Sequence, residues 1–60
     1  MEYLTPKMVG QLLHIGVNKV YKLFRLPGFP RIKIGNQMIV EKENLMNFLN
    51  EYKGSSIKLG

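Results

Sequence analysis

The chain has 60 residues, 45% of them hydrophobic, and a formal net charge of +5 at pH 7, which allows one small domain with a single core. Its longest aliphatic run, Met38 to Val40, is far shorter than the roughly 20 residues of a membrane span or the about 7 of a signal-peptide core, so a cytoplasmic protein is expected. The absence of cysteine and aspartate, with His14 as the only histidine, excludes disulfides, thiolate metal sites and a Ser-His-Asp triad.

The first predicted helix begins after Thr5. A threonine N-cap accepts a hydrogen bond from a free backbone amide, and the proline that follows has no amide to leave unpaired. Val9, Leu12 and Leu13 have the i, i+3, i+4 spacing of a buried helix face. We expect a helix of about nine residues that ends near His14.

A second helix is predicted directly after Gly16, whose conformational freedom permits a sharp turn. Val17, Val20, Tyr21 and Phe24 are spaced i, i+3, i+4, i+7 and form the expected buried stripe. Two short helices joined by a glycine-containing turn are typical of a helix-turn-helix when the second carries polar donors outward. That outward face consists of Asn18, Lys19, Lys22 and Arg25.

Two strands, Arg31 to Ile34 and Met38 to Val40, are predicted around residues 35–37. They follow a Pro-Gly-Phe-Pro segment that no helix can continue through. The pattern is typical of a β-hairpin.

Two registers of this hairpin are possible. A two-residue turn would pair Ile34 with Gln37, whereas a three-residue loop pairs Ile34 with Met38 and places four apolar side chains on one face. The three-residue loop is favoured for that reason. It leaves Lys33 facing outward and puts Asn36 at a projecting tip beside Gln37.

The last predicted helix runs from about Lys42 or Glu43 to Lys53 and is followed by a glycine stop. The sequence thus predicts an α+β domain over residues 1–53 and a flexible C-terminal tail over residues 54–60. The buried stripe of the last helix is Leu45, Phe48, Leu49 and Tyr52.

The positive charge is concentrated in the first forty residues. No acidic residue occurs from Tyr3 to Val40, while six of the nine lysines and arginines fall there. A field of one sign favours a polyanion, and duplex nucleic acid is the commonest such partner. A basic surface that only keeps the protein in solution is the alternative.

The chain resembles the excisionase family of small winged helix-turn-helix DNA-binding proteins, which is related to the DNA-binding heads of mercury-resistance-type regulators. The resemblance covers Tyr3 to about Tyr52. It implies a small winged helix, in which a helix-turn-helix is followed by a two-stranded β-hairpin wing and a C-terminal helix. The segments that carry it are Tyr3-Leu4-Thr5-Pro6, Val17 to Leu23, Lys33-Ile34-Gly35, and Leu45 to Leu49.

The resemblance implies that the second helix enters the major groove and that the wing contacts the adjacent backbone or minor groove of the same duplex. Base edges would be read by Asn18, Lys19 and Lys22. The candidate backbone contacts are Lys7, Tyr21, Arg25, Arg31 and Lys33, with Tyr21 expected mainly to pack, and the candidate wing-tip contacts are Asn36 and Gln37.

The expected function is sequence-specific binding of double-stranded DNA, as an excisionase or recombination directionality factor of a phage or integrative element, on the bacterial nucleoid. An integrase or neighbouring copies on adjacent sites are the expected protein partners. The alternatives are a small transcription regulator of the same fold and, in a different class, an adaptor that binds an integrase, repressor or polymerase. No enzyme activity, cofactor, metal, small-molecule substrate or membrane partner is expected.

Overall fold

The computed structural model describes residues 1–59 and folds them into three helices and a three-stranded antiparallel sheet. The predicted α+β class is therefore confirmed. Within this part of the chain no helix is long and apolar enough to cross a membrane. The elements in chain order are β1 (Tyr3–Leu4), α1 (Pro6–Leu13), α2 (Val17–Phe24), β2 (Arg31–Ile34), β3 (Gln37–Glu41) and α3 (Lys42–Asn50).

Helix α1 begins as predicted, because Thr5 Oγ1 accepts a hydrogen bond from the Met8 amide at 3.3 Å. The turn after it differs from expectation. His14 takes the left-handed conformation, with φ of 59°, and its amide donates to the Gly10 carbonyl. Gly16 is extended and serves as the N-cap of α2 without a side-chain hydrogen bond. The reversal is therefore built by the helix C-cap at His14 rather than by Gly16.

Helix α2 packs through a face that is rotated from the predicted one. Val20, Leu23 and Phe24 are buried, whereas Val17 and Tyr21 are 58% and 41% exposed. The predicted stripe is thus wrong at Val17 and Tyr21, because the i, i+3, i+4 set that ends at Phe24 faces the core instead. A close approach to α1 fixes this orientation, since a Cβ on Gly10 would lie 3.1 Å from Val20 Cγ2.

The hairpin has the register that the sequence analysis did not favour. Ile34 pairs with Gln37 and Lys33 pairs with Met38, so a two-residue turn connects the strands and the predicted three-residue loop is wrong. Gly35, at the first turn position, has φ of 60°, which suits a type II′ turn. All four β2 side chains are exposed, so apolar matching gains no burial and the turn geometry decides the register.

This register also decides which side chains share a face. Lys33 lies on the same sheet face as the buried Val40, so its predicted place on the opposite face is wrong, although its side chain is exposed. Ile32 pairs with Ile39 on the opposite side. We call this the outer sheet face, and its apolar members are Tyr3, Ile32, Ile34 and Ile39.

Strand β1 was not predicted. It has only two residues, and it pairs Tyr3 with Glu41 and Leu4 with Val40, which makes β3 the central strand. The Lys42 amide continues the pairing by donating to the Glu2 carbonyl at 2.8 Å. The chain entering α1 is thereby held beside the hairpin.

Helix α3 follows β3 without a loop. The Glu41 carboxylate caps it by accepting hydrogen bonds from the amides of Glu43 and Asn44 at 3.2 and 3.3 Å. Leu45 and Phe48 are buried as predicted. The aromatic rings of Phe24, Phe29 and Phe48 form the centre of the core, with centroid distances of 4.7 and 5.1 Å between successive rings.

The segment after α3 turns back on the domain. Gly54 has φ of 80°, and the side chains of Ile57 and Leu59 are partly buried against the core. The boundary at residue 53 and the flexibility of residues 54–60 stay predictions, and Gly60 lies outside the described residues. The apolar contacts of Ile57 and Leu59 nevertheless make this segment part of the packed molecule.

Candidate nucleic-acid interface

Helix α2 presents its predicted donors to solvent. We call this the basic face, and all four of its residues are exposed while the opposite side of the helix is buried. Burial of Val20, Leu23 and Phe24 fixes the rotation of the helix and hence the direction of the donors. The members of the basic face are Asn18, Lys19, Lys22 and Arg25.

None of these cations has an acidic neighbour in an ion pair. The ion pair found among residues 1–59 joins Lys42 Nζ to Glu2 Oε1 at 3.7 Å, at the start of α3. The positive charge of the basic face is therefore uncompensated within the described chain. A surface of this kind lowers its electrostatic self-repulsion when a polyanion binds.

The hairpin is tied to the end of α2 by Arg31. Its Nη1 atom donates a hydrogen bond to the Phe24 carbonyl at 3.1 Å, in a partly buried position. This contact uses one of the five guanidinium donors and satisfies a carbonyl that the helix end leaves free. Arg31, predicted as a backbone contact, thus has a structural partner that holds the hairpin at a set angle to α2.

A cleft of about 190 Å³ separates the tip of the hairpin from the two helices. Tyr21 of α2 lines this cleft together with Asn36 and Gln37 of the turn region. The structure thus brings three predicted site residues together. We call this the tip cleft, and it is lined by Thr5, Pro6, Tyr21, Asn36, Gln37, Met38 and Ile39.

Two other predicted residues lie apart from the tip cleft. Lys33 is exposed on the edge strand β2, on the sheet face that meets the helices. Lys7 is exposed in the first turn of α1 and lines a groove of about 250 Å³ with Gln11 and Val17. The predicted DNA-contact residues therefore lie at separate places on the surface, from the first turn of α1 to the edge strand β2.

The sequence did not lead us to predict Lys58 as a site residue, although it lies near the C-terminal end of α2. Lys58 and Leu59 line a pocket of about 300 Å³ together with Lys22, Arg25 and Leu26. We call it the basic pocket. The alternation of Ile57, Lys58 and Leu59 was the available signal, because two apolar residues around one charge are typical of a segment with one packed side.

No protein-family model matches the chain, and searches of the curated proteins and of the solved structures found no match either. What the site can do follows from its chemistry. It offers amide, hydroxyl, ammonium and guanidinium donors on an exposed surface. Such groups bind phosphate oxygens and base edges without chemical change.

Proposed function

We propose that the chain is a winged helix-turn-helix protein that binds duplex DNA in a sequence-specific manner. Helix α2 enters the major groove, and the β2–β3 hairpin lies as a wing on the adjacent backbone or minor groove. The observation that carries this proposal is the uncompensated basic face on a helix whose other side is locked in the core.

The dimensions of α2 support this placement. An α-helix with its side chains is about 10 to 12 Å across, and a B-DNA major groove of about 12 Å width accepts one helix. Asn18, Lys19 and Lys22 are the base-reading side chains of this proposal. An asparagine amide suits the donor and acceptor pair of adenine, and a lysine ammonium suits the two acceptors of guanine.

Phosphate contacts surround this central strip. Arg25 flanks it as the C-cap residue of α2, and Lys33 lies on the hairpin edge. Tyr21 is exposed enough for its hydroxyl to donate to a phosphate, and it faces the hairpin tip across the tip cleft. Contacts of this kind position a protein on the duplex and carry no sequence information by themselves.

Within this class we favour an excisionase or recombination directionality factor over a transcription regulator. The residue pattern of the chain resembles that family over most of its length. A single helix and wing read only a few base pairs, so useful selectivity requires neighbouring copies on adjacent sites or a bound integrase. On this proposal the protein acts on DNA in the bacterial cytoplasm, without cofactor or catalysis.

The direct test is fluorescence anisotropy with a pool of random duplexes at several salt concentrations. We expect the logarithm of the affinity to fall with the logarithm of salt, with a slope of about −0.9 for each phosphate contacted. Selection from the same pool would then yield a preferred site. Flat or undetectable binding at low salt would overturn the proposal.

A second candidate function is supported by the outer sheet face. Tyr3, Ile32 and Ile34 are 48%, 42% and 61% exposed, and contiguous apolar surface often marks a protein contact. As an adaptor, the chain would bind an integrase, repressor or polymerase there. The double variant Ile32→Thr, Ile34→Thr keeps β-branched residues in the strand, so loss of partner capture with unchanged DNA binding would favour this candidate.

A further inference from the structure

The segment after α3 packs with an alternating pattern. Ile57 and Leu59 are partly buried against the core, and Lys58 between them is exposed. Burying two apolar side chains of this size can contribute up to a few kcal/mol, at about 25 cal/mol for each Å² of apolar surface removed from water. The position of Lys58 is thus set by its two neighbours rather than left to a free chain end.

Because of this packing, Lys58 lies next to two residues of the basic face. Lys58 and Leu59 line the basic pocket with Lys22, Arg25 and Leu26, the residues of the last turn and end of α2. Three cationic residues therefore line one open surface pocket together with two leucines, and most of the lining surface is apolar. None of the three makes an ion pair within residues 1–59.

The C-terminal end of a helix disfavours a bound anion, so the charges of the surrounding side chains must outweigh it. The C-terminal end of a helix carries about half a negative charge, whereas Lys22, Arg25 and Lys58 carry one positive charge each. The Arg25 amide also donates to the carbonyls of Tyr21 and Lys22 at 3.2 Å, which satisfies part of that negative end. The formal charges of the residues that line the pocket therefore sum to a positive value.

We propose that the basic pocket is a phosphate site, in which Arg25 and Lys58 hold one phosphate group and Lys22 adds to the positive potential. The inference deepens the proposed DNA-binding function and rests on it for the source of the phosphate. The planar guanidinium of Arg25 offers two parallel donors, and the ammonium of Lys58, which lines the same pocket, offers a further donor. The C-terminal segment is then an additional backbone contact of the DNA interface.

The test compares Lys58→Ala with Lys53→Ala in duplex binding. Both variants remove one positive charge, but Lys53 lies in the turn after α3, outside the basic pocket. We expect Lys58→Ala to reduce the magnitude of the salt slope by about 0.9, equivalent to one phosphate, and to weaken binding to all duplexes alike. Lys53→Ala should leave the slope unchanged, and Lys58→Arg should restore it.

A charge-neutral variant checks the role of the packing. Leu59→Ser keeps every cation but removes an apolar contact that holds the segment, and it lies outside the buried core residues. We expect the same loss of slope as in Lys58→Ala, with a thermal midpoint close to that of the parent. Parent-like slopes in both Lys58→Ala and Leu59→Ser would overturn the phosphate site while leaving the proposed function intact.

If the parent protein does not bind duplex DNA, a titration with inorganic phosphate tests the basic pocket separately. Absence of duplex binding would overturn the proposed function, and titration of the ¹⁵N-labelled protein with phosphate then addresses the pocket alone. Chemical-shift changes at the amides of Arg25 and Lys58 that vanish in Lys58→Ala would support a site for phosphate from another source. Their absence would overturn the site.

Discussion

Helix α2 and the β2–β3 hairpin carry the two halves of the proposed interface, and they are held in different ways. Three α2 side chains, Val20, Leu23 and Phe24, are buried, whereas every side chain of β2 is exposed. Strand β2 of the hairpin is held by its pairing with β3 and by the hydrogen bond from Arg31 to Phe24, whereas β3 is anchored by the buried Val40. The comparison suggests a fixed element that reads bases beside a more weakly held element that adjusts to the backbone.

The largest expected effect comes from removing the anchor of α2. Phe24 of α2 is fully buried and packs against Phe29, so Phe24→Ala should cost about 3 to 5 kcal/mol. A domain of 60 residues has about 3 to 9 kcal/mol of stability in total. We expect loss of the cooperative transition in thermal denaturation followed by circular dichroism. Ile32→Thr on the hairpin is the matched control and should change stability by less than about 0.5 kcal/mol.

If instead Phe24→Ala melted cooperatively near the parent temperature, α2 would not be anchored as described. If Ile32→Thr were strongly destabilising, the outer sheet face would be covered in solution. Either result would remove the contrast between the two elements.

The next effect separates base reading from backbone contact. Lys22→Ala on α2 should lower the discrimination between the preferred duplex and a mismatched one by about 1 to 3 kcal/mol. Lys33→Ala on the hairpin should weaken binding to all sequences alike and reduce the salt slope by about 1. Anisotropy titrations with both duplexes at three salt concentrations measure both quantities. Equal changes in discrimination and in salt slope for the two variants would show that base reading and backbone contact are not separated between α2 and the hairpin.

A third effect concerns the link between the two elements. Arg31→Ala leaves the Phe24 carbonyl without its donor in a partly buried place, which should cost about 1 to 2 kcal/mol. Lys33→Ala removes the same charge from the same strand, but its side chain is exposed and its cost should stay below about 0.5 kcal/mol. Urea denaturation midpoints compare the two. Identical midpoints would mean that Arg31 serves the ligand rather than the fold.

The elements that local chemistry specifies were predictable from sequence. A threonine directly before Pro6 favours the N-cap position of a helix, and Thr5 forms that N-cap in the structure. The apolar spacing of α3 also gave its buried residues, Leu45 and Phe48. The cap lies within one short stretch of chain, and the buried face of α3 follows from the spacing of its own apolar residues.

Three features were predicted wrongly or missed: the rotation of α2 and the position of Lys58 depend on distant packing, whereas the hairpin register depends on the local turn. The rotation of α2 follows from the close approach of Val20 to Gly10, so spacing within α2 alone left Tyr21 on the wrong side. The hairpin register followed the turn preference of Gly35, because β2 forms an edge with no buried side chain. The cation Lys58 joins the basic face only after the chain has returned past α3.

The smallest expected effect uses one substitution at two glycines. Gly16 is the N-cap of α2, with φ of −71°, no side-chain hydrogen bond and nothing within 4 Å of an added Cβ. Gly16→Ser should therefore stabilise the domain by a few tenths of a kcal/mol, because serine accepts a hydrogen bond from a free helix amide at about 1 kcal/mol or less.

The same change in the hairpin should have the opposite sign. Gly35 has φ of 60°, where a side chain costs roughly 1 to 2 kcal/mol, although an added Cβ there also meets open space. Gly35→Ser should thus lower the urea midpoint while Gly16→Ser raises it. Since neither substitution alters charge or meets a neighbouring atom, opposite shifts would show that backbone conformation alone distinguishes the start of α2 from the turn of the hairpin. A fall in both would mean that the Gly16 amide neighbours are already satisfied and that α2 needs no further cap.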